Sequence, residues 1–222
     1  IREYKKLLRN KTMAYDFKKE QKELYRPGKR PAIIKVSPMN YLEVQGKGDP
    51  NAENGEYNQA LQPLYGIAYT IKMSKKGDYQ IPGYFDFVVP PLEGMWWQPG
   101  VQGVDYQHKE KFNFISLIRM PDFVTTDVFD WAIKTATEKK QTDFSKVEFK
   151  TIDEGLCAQI LHVGPYDDEP ATVEKLHEFI ANNGLKLDIN DHRHHHEIYL
   201  SDPRRTKPAN LKTVLRLPVK KQ

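Results

Sequence analysis

The sequence lacks most of the features that would assign a protein to a broad functional class at first sight. It has one cysteine, Cys157, so an internal disulfide framework is excluded and a reducing compartment is favoured. No apolar run approaches the roughly 18 residues that a membrane-spanning helix needs. The positive charge is modest, with 34 Lys and Arg against 30 Asp and Glu, whereas nucleic-acid-binding domains are typically strongly basic. We therefore expect no direct nucleic-acid partner and no membrane partner.

Recognisable catalytic, cofactor and targeting motifs are also missing. There is no Gly-x-Ser-x-Gly elbow, no Walker loop, no Gly-x-Gly-x-x-Gly fingerprint and no secretory signal. The histidine cluster 192–196 places His194 and His196 on one strand face, but a zinc site needs a third ligand held by the fold. We predict cytoplasmic localisation, no metal and no cofactor, and leave the role of the cluster open.

Aromatic residues, by contrast, are plentiful. The chain has 12 Tyr, 10 Phe and 3 Trp, although its mean hydropathy is only −0.70. These rings either build an ordinary core or line a ligand site, and composition does not distinguish the two. We interpret residues 13–222 as a single domain and residues 1–12 as a non-native or disordered leader.

The order of predicted elements occurs twice along the chain, as strand, helix, strand, strand, in pseudo-repeats at about 41–120 and 155–218. In the first repeat the strands are predicted at 41–46, 84–89 and 112–120, with a helix beginning near Tyr57. In the second they are predicted at 156–163, 196–200 and 213–217, with a helix at 169–183. An edge strand at 32–36 and a connecting helix at 126–140 complete the pattern. This order predicts an α+β fold built on an antiparallel sheet, with a concave central groove and the helices behind it.

Glu197 is the strongest single candidate for a functional residue. Alternate residues of a strand share a face, so Glu197 lies with His195, Tyr199 and Ser201, opposite Ile198. On a concave, ring-lined face its carboxylate would be partly desolvated, and would serve as a base or as a counter-charge for a cation. The pattern taken alone favours the alternative, a solvated strand glutamate.

Rings from both halves are candidates for lining the groove. Trp96 and Trp97 fall in a segment flanked by Gly and Pro that we predict to be a loop, from which an indole could stack on a flat ligand. Aligning the predicted strand at 84–89 with its counterpart in the second repeat, at 196–200, places Phe85 opposite Glu197 and Phe87 opposite Tyr199. Ordinary core packing remains the alternative for each ring. The predicted ligand-binding set is Trp96, Trp97, Tyr65, Tyr84, Phe85, Phe87, Tyr199 and His195.

Three segments of the second half resemble the GyrI-like small-molecule-binding domains. They are Val-Gly-Pro-Tyr-Asp-Asp-Glu-Pro at 163–170, Leu-His-Glu-Phe-Ile at 176–180, and His-Glu-Ile-Tyr-Leu-Ser-Asp-Pro-Arg-Arg at 196–205. The resemblance covers about residues 13–220. It implies the duplicated strand–helix–strand–strand fold and a buried glutamate that faces bound ligand, which matches Glu197 here.

Stand-alone relatives with a similar Trp-bearing segment include the cyclopropanoid cyclopropyl hydrolases. The resemblance implies hydrolytic opening of the spiro-cyclopropane of planar aromatic DNA alkylators of the duocarmycin and yatakemycin class, which detoxifies them. Glu197 would then activate the attacking water, and a tyrosine hydroxyl would stabilise the developing phenolate, with Tyr69, Tyr166 and Tyr199 as candidates. The alternatives are a non-catalytic protein that sequesters planar or cationic drugs and an interaction partner that shields DNA gyrase. The natural substrate and the oligomeric state are left open.

Overall fold

The computed structural model describes residues 13–101, 104–140 and 142–222, so the hypothesis about residues 1–12 lies outside the described part. Its helices are α1 (Phe17–Glu20), α2 (Lys22–Tyr25), α3 (Glu56–Lys72), α4 (Thr126–Lys140) and α5 (Glu169–Asn182). Its strands are β1 (Ala32–Val36), β2 (Met39–Lys47), β3 (Leu92–Trp97), β4 (Asn113–Met120), β5 (Glu148–Ile152), β6 (Gly155–Val163), β7 (Leu185–Leu187), β8 (His195–Tyr199) and β9 (Lys212–Lys221).

The strands form an antiparallel sheet whose order reflects the duplication. The order is β1-β6-β9-β8-β3-β4-β2-β5, and β7 pairs with the end of β9. The set β2-α3-β3-β4 therefore corresponds to the set β6-α5-β8-β9, and the two sets meet where β3 pairs with β8. The α+β fold predicted from the order of elements is confirmed. We call the β3–β8 pairing the seam.

The two long helices of these sets pack through apolar stripes at helical spacing. Helix α3 buries Leu64, Ile67 and Ile71, and it packs against β2 and β4. Helix α5 buries Leu176 and Ile180 in a separate cluster with residues of β6 and β9. These stripes fix the distance of each helix from the seam and leave the first turns of both helices free to face it.

Both helices lie on the face of the sheet that carries Glu197. Tyr57, in the first turn of α3, contacts the Trp96 ring of β3 on that face. Glu169, the first residue of α5, lies beside Glu197 of β8. The helices therefore stand on either side of Glu197, on the face of the seam that carries it. This corrects the predicted placement of the helices behind the groove, because α3 and α5 lie on the Glu197 face itself.

The opposite face of the sheet is covered by the arm formed by α1 and α2. The Tyr25 hydroxyl donates to Oε1 of Glu93 at 3.3 Å, and Arg216 donates to the Leu24 carbonyl at 3.0 Å. Ile198 lies on this face and is buried, as its predicted orientation away from Glu197 requires. The arm therefore supplies the cover that the repeat helices give on the other side.

The prediction of a strand at 84–89 is wrong. The central strand of the first repeat is β3 instead. Within the described part of the chain, residues 84–89 form a single bridge, between Tyr15 and Phe87. Prolines at positions 82, 90 and 91 interrupt ladder pairing on both sides. In the actual register Gly94 lies opposite Glu197, and Trp96 lies opposite His195. The alignment of Phe85 and Phe87 with Glu197 and Tyr199 is therefore also wrong, and Trp96 and Trp97 belong to a strand rather than a loop.

The connection between the repeats contains more structure than the sequence pattern indicates. Helix α4 has the predicted bounds. Strand β5 follows it and pairs with β2 at one edge of the sheet, and this strand was not anticipated. None of the helices in the described ranges has the combination of length and apolar character needed to cross a membrane.

Candidate functional site

The Glu197 carboxylate lies buried at the seam, with only 7% of the residue exposed. Tyr199, two residues along the same strand face, donates its hydroxyl to Oε2 of Glu197 at 2.8 Å. On the other side, Nε2 of His195 lies 3.1 Å from Oε1 of Glu197. With His195 in the tautomer that carries its proton on Nε2, both carboxylate oxygens accept a hydrogen bond. These two bonds hold the carboxylate in one orientation and offset part of the cost of burying its charge.

The hydrogen-bond chain continues into the first repeat. The indole Nε1–H of Trp96 donates to the Tyr199 hydroxyl at 2.9 Å, so the order of donation is Trp96 to Tyr199 to Glu197. Gly94 makes this contact possible, because a Cβ at that position would lie 2.7 Å from Trp96 Nε1 and 2.9 Å from the Tyr199 oxygen. The chain therefore depends on a strand glycine at the seam.

Aromatic rings surround the carboxylate on the sides of both helices. The Tyr57 ring lies 5.3 Å from the Trp96 ring and 5.3 Å from the Phe114 ring. The Tyr166 ring, just before α5, packs edge to face on Tyr199 at 5.8 Å. Burial, followed by the charges of Glu169 and Glu197, raises the pKa of Tyr166 to about 12. Both phenols therefore stay protonated and keep a proton that they can donate in a hydrogen bond.

A second buried carboxyl, Glu169, lies beside Glu197. Only 1% of Glu169 is exposed, and its neighbours include the Glu197 carboxyl and the Thr213 hydroxyl. Burial, and then the charge of Glu197, raise the pKa of Glu169 well above its ordinary value. Among the described residues, neither Oε1 of Glu169 nor Oγ1 of Thr213 has a hydrogen-bond partner of good geometry.

Residues 104–111 cover the site from the solvent side. The Tyr106 hydroxyl is buried without a partner among the described residues, and burial together with the charges of Glu197 and Glu169 raises the pKa of its phenol strongly. Lys109 bonds Asp167 at 2.7 Å, which ties this segment to the turn before α5. A ligand that reaches Glu197 must therefore displace part of this cover or of the rings beneath it.

A network of buried charges lies directly behind Glu197, on the opposite face of the seam. His196 lies 2.9 Å from Oε2 of Glu93 and 2.8 Å from Oε2 of Glu154, and Arg216 bonds Glu154 at 2.7 Å. Burial disfavours the His196 imidazolium, but Glu154 and Glu93 outweigh it and raise the pKa of His196 to about 9. Burial likewise opposes ionisation of Glu154, but His196 and Arg216 lower its pKa to about 2. This network fixes the backbone of β8 from behind.

The duplicated sheet, the paired helices and the buried glutamate at the seam agree with what comparison with known proteins finds. Residues 29–220 match the GyrI-like small molecule binding domain. The chain belongs to this family. No curated protein matches it.

Solved structures from Listeria innocua resemble this GyrI-like domain over nearly its whole length. An uncharacterized conserved protein shares 50% identity at a TM-score of 0.87, with 93% of this chain and all of that one covered. A protein described as a hydrolase shares 48% identity at 0.84, again over 93% and 100%. The C-terminal domain of EcmrR, at 14% identity, a TM-score of 0.55 and coverage of 87% and 98%, shares the fold alone.

The structure brings together five of the residues predicted as site residues, namely Glu197, Tyr199, His195, Trp96 and Tyr166. The others lie elsewhere in this GyrI-like domain. Tyr65 and Tyr69 stack at 6.3 Å along α3, and Tyr69 is 49% exposed. Tyr69 belongs to the outer surface of α3, whereas Tyr65 is half-buried and lies near Tyr57 and the turn at Asp202. Neither belongs to the hydrogen-bonded group around Glu197.

Four further predicted rings also lie away from Glu197. Trp97 points to the opposite face of β3 and stacks on His194 at 4.2 Å. Tyr84 donates to the Lys72 carbonyl at the end of α3. Phe85 is 41% exposed, and Phe87 is fully buried in the core.

Sequence reasoning missed Tyr57, Tyr106, Glu169 and Thr213. Tyr57 and Glu169 lie in the first turns of the two repeat helices, where a polar residue is usually solvated. Glu169 does lie within the segment 163–170 on which the family resemblance rests, and this was the one available signal. The four positions are united only by the tertiary fold, which brings both helix starts and the cover to the seam.

In the part of the chain that the structure describes, no group of three or more His, Cys, Asp or Glu side chains has a metal-binding arrangement. Within the histidine cluster, His194 stacks on Trp97, and His196 lies between two carboxylates.

Proposed function

We propose that this protein is a hydrolase that acts on a planar aromatic small molecule at Glu197. The observation that carries the proposal is the buried Glu197 carboxylate, which Tyr199 and His195 orient and which aromatic side chains surround. The rings offer stacking surface to a flat ligand, and an oriented carboxylate is a competent general base. Two Listeria innocua proteins that are 48% identical to this chain are described as hydrolases, which supports hydrolytic chemistry.

The proposed reaction is the opening of a spiro-cyclopropane joined to a dienone, as in genotoxins of the duocarmycin and yatakemycin class. Glu197 takes a proton from water as the water oxygen attacks a cyclopropane CH₂. The bond from that carbon to the spiro carbon breaks, and its electron pair moves through the ring to the carbonyl oxygen, which becomes a phenol on protonation. Ring strain already lowers the barrier, so a single base contributing about 10²–10⁴-fold suffices. The cellular result is detoxification of a DNA-alkylating compound.

Among the three tyrosines considered for the developing phenolate, Tyr166 has the most suitable surroundings. The Tyr199 hydroxyl is already committed to Glu197 and Trp96, and Tyr69 lies on the outer surface of α3. Tyr166 packs against Tyr199, and its raised pKa keeps its proton in place for donation. We therefore propose Tyr166 as the hydroxyl that contacts the ligand oxygen.

The test is incubation with a spiro-cyclopropyl dienone alkylator, followed by mass spectrometry for a product that has gained one water. Many turnovers per protein molecule are expected, and Glu197→Gln should lower the rate by about 10²–10⁴-fold while ligand binding persists. Glu43→Gln is the matched control, because Glu43 is also buried on a strand and lies on the opposite face of the sheet. Stoichiometric protection without product would support the alternative of a sequestering protein and overturn the hydrolase.

A further inference from the structure

Tyr65 and Tyr69 have no role in the reaction as described so far, although they form a stacked pair on helix α3. Their ring centroids lie 6.3 Å apart, and the ring planes are inclined by 29°. Tyr65 is half-buried, whereas Tyr69 is 49% exposed. A single exposed ring on a helix is ordinary, but two stacked rings, one of them open to solvent, offer a flat surface on which another ring can stack.

This pair continues the aromatic lining of the Glu197 site along α3. Tyr57, in the first turn of the helix, contacts the Trp96 ring and lies near Glu197. Tyr65 and Tyr69 follow about 12 Å and about 18 Å further along α3, since a helix rises about 1.5 Å per residue. Tyr65 lies near Tyr57 as well as against Tyr69. The stacked pair is therefore an extension of the site and not an isolated surface feature.

The turn that follows β8 stands beside this pair. Burial is the main cause of the raised pKa values of Tyr65 and Tyr166, and the negative charge of Asp202 contributes to both. Asp202 therefore lies near α3 on one side and near the turn before α5 on the other. Because Tyr166 also packs on Tyr199, the Asp202 turn marks the end of the site at which the stacked tyrosines stand.

Arg204, in the same turn, presents a guanidinium of fixed orientation. Its Nε and Nη2 groups donate to Oδ1 and Oδ2 of Asp202, both at 3.0 Å. This two-point contact fixes the plane of the guanidinium, although 86% of the side chain is exposed. The charge of Arg204 opposes the rise in the pKa of Tyr65, so the two side chains are neighbours. In the described ranges the cations that lie over rings are Lys72 and Arg119, so Arg204 stands beside Tyr65 without stacking on it.

The charge of this turn is mostly positive. Residues 201–207 contain Arg204, Arg205 and Lys207, all exposed, against a single carboxylate, that of Asp202. Such a cluster favours a neutral or anionic ligand group over a cationic one. Guanidinium groups also stack on aromatic rings. The turn therefore suits a flat group that is uncharged or carries a negative charge.

We propose that Tyr65, Tyr69 and Arg204 form a second binding subsite, which takes a flat ring system joined to the part of the ligand that reacts at Glu197. This inference rests on the proposed function. The group that binds there is aromatic and either neutral or anionic. Because the subsite lies remote from the reacting atoms, the ground state and the transition state share its contacts. Such binding lowers KM and leaves kcat unchanged.

The experiment compares two spiro-cyclopropyl dienone probes that differ in one substituent, which is acetyl in the short probe and indole-2-carbonyl in the long one. In the wild type we expect the long probe to have the lower KM, by about tenfold, because its indole reaches the subsite. Tyr69→Ala should raise the KM of the long probe towards that of the short probe and change kcat little. A carboxylate on the indole should lower KM further at low ionic strength, and Arg204→Gln or added salt should remove that gain.

Phe85→Ala is the matched control, because Phe85 is a ring of similar exposure, 41%, that lies away from Glu197. This variant should leave the KM of both probes unchanged. A wild-type KM that is equal for the two probes, or a rise in Tyr69→Ala that is equal for both, would overturn the subsite and leave the hydrolase intact. Absence of turnover of the short probe would instead overturn the proposed function. The Kd of each probe, measured by fluorescence titration, then gives the same comparison without turnover.

Discussion

The Tyr199 hydroxyl donates a hydrogen bond of 2.8 Å to Oε2 of Glu197 and accepts one of 2.9 Å from the Trp96 indole. One phenol therefore joins the carboxylate of the second repeat to the indole of the first. Because Trp96 and Glu197 are buried and Tyr199 is half-buried, each bond both orients its partners and removes the cost of an unmet polar group.

Tyr199→Phe should weaken both the fold and the activity. The substitution leaves the Trp96 N–H without its acceptor and Glu197 without one donor, so we expect a loss of about 1–3 kcal/mol in the free energy of unfolding. The freed carboxylate should also lower turnover by about 10²-fold, since small misplacements of a catalytic group are costly. Urea unfolding and steady-state turnover measure the two effects. Tyr69→Phe is the control for unfolding, because that ring is half exposed, and an equal loss of stability there would contradict the role given to Tyr199.

Gly94→Ala should disrupt the same contact from the backbone side. The added Cβ would lie 2.7 Å from Trp96 Nε1 and 2.9 Å from the Tyr199 oxygen, so one of these groups must move. We expect a destabilisation of about 1–3 kcal/mol from overpacking, together with reduced turnover.

The control for this prediction is Gly28→Ala, where the nearest atom to the new Cβ would be 3.8 Å away. Without a clash, replacement of glycine by alanine is neutral or mildly stabilising when the backbone conformation allows it. If Gly94→Ala behaved like Gly28→Ala in both unfolding and turnover, the close packing at the seam would not limit the site.

Strand β8 was predictable from the sequence, and its partner β3 was not. The alternation through Glu197, Ile198 and Tyr199 has the period of a strand with one apolar side, and this signal survives in the fold. For the segment of β3, which contains Gly94 and the Trp96–Trp97 pair, the sequence pattern predicts a loop. Gly94 is required by a contact with β8, about a hundred residues away in sequence, and no local pattern reports such a contact.

The functional site also depends on long-range contacts that a local sequence pattern does not report. Glu197 was identifiable because its strand neighbours are apolar or aromatic, whereas Glu169 begins a helix in a run of acidic residues that resembles a solvated first turn. Its burial comes from β8 and β9, which follow later in the chain, and from Tyr106, which precedes it. A carboxyl that tertiary contacts alone remove from water cannot be recognised by periodicity.

Trp96 and Trp97 should differ in ligand binding although they are neighbours. Trp96 faces Glu197 and is joined to Tyr199, whereas Trp97 faces the other side and stacks on His194. Trp96→Phe should weaken binding of a planar aromatic ligand about tenfold, the upper range of one aromatic contact. Trp97→Phe should leave the Kd near that of the wild type. Fluorescence titration measures both, and equal effects would show that the ligand lies elsewhere.

The charge network behind Glu197 makes stability depend on pH in two windows. The pKa of His196 is raised from 6.5 to about 9, so its stabilising contribution is complete below pH 6.5 and is lost as the pH rises toward 9. The pKa of Glu154 is lowered from 4.5 to about 2, so its contribution is complete above pH 4.5 and is lost as the pH falls toward 2. Stability should therefore be greatest between pH 4.5 and 6.5.

Urea unfolding of the wild type from pH 5 to 9.5 should show a decline of up to about 3 kcal/mol on the alkaline side, as the linkage of folding to protonation requires. His196→Gln should unfold more easily at pH 6, because Glu93 and Glu154 then lose the imidazolium between them and Arg216, which bonds Glu154, is the cation that remains. The alkaline decline of this variant should be smaller. His192→Gln is the control, since His192 is exposed in the turn before β8. If the stability of the wild type stayed level from pH 6.5 to 9, His196 would be neutral in the folded protein. The network would then stabilise the seam through hydrogen bonds of a neutral imidazole, and not through an imidazolium between two carboxylates.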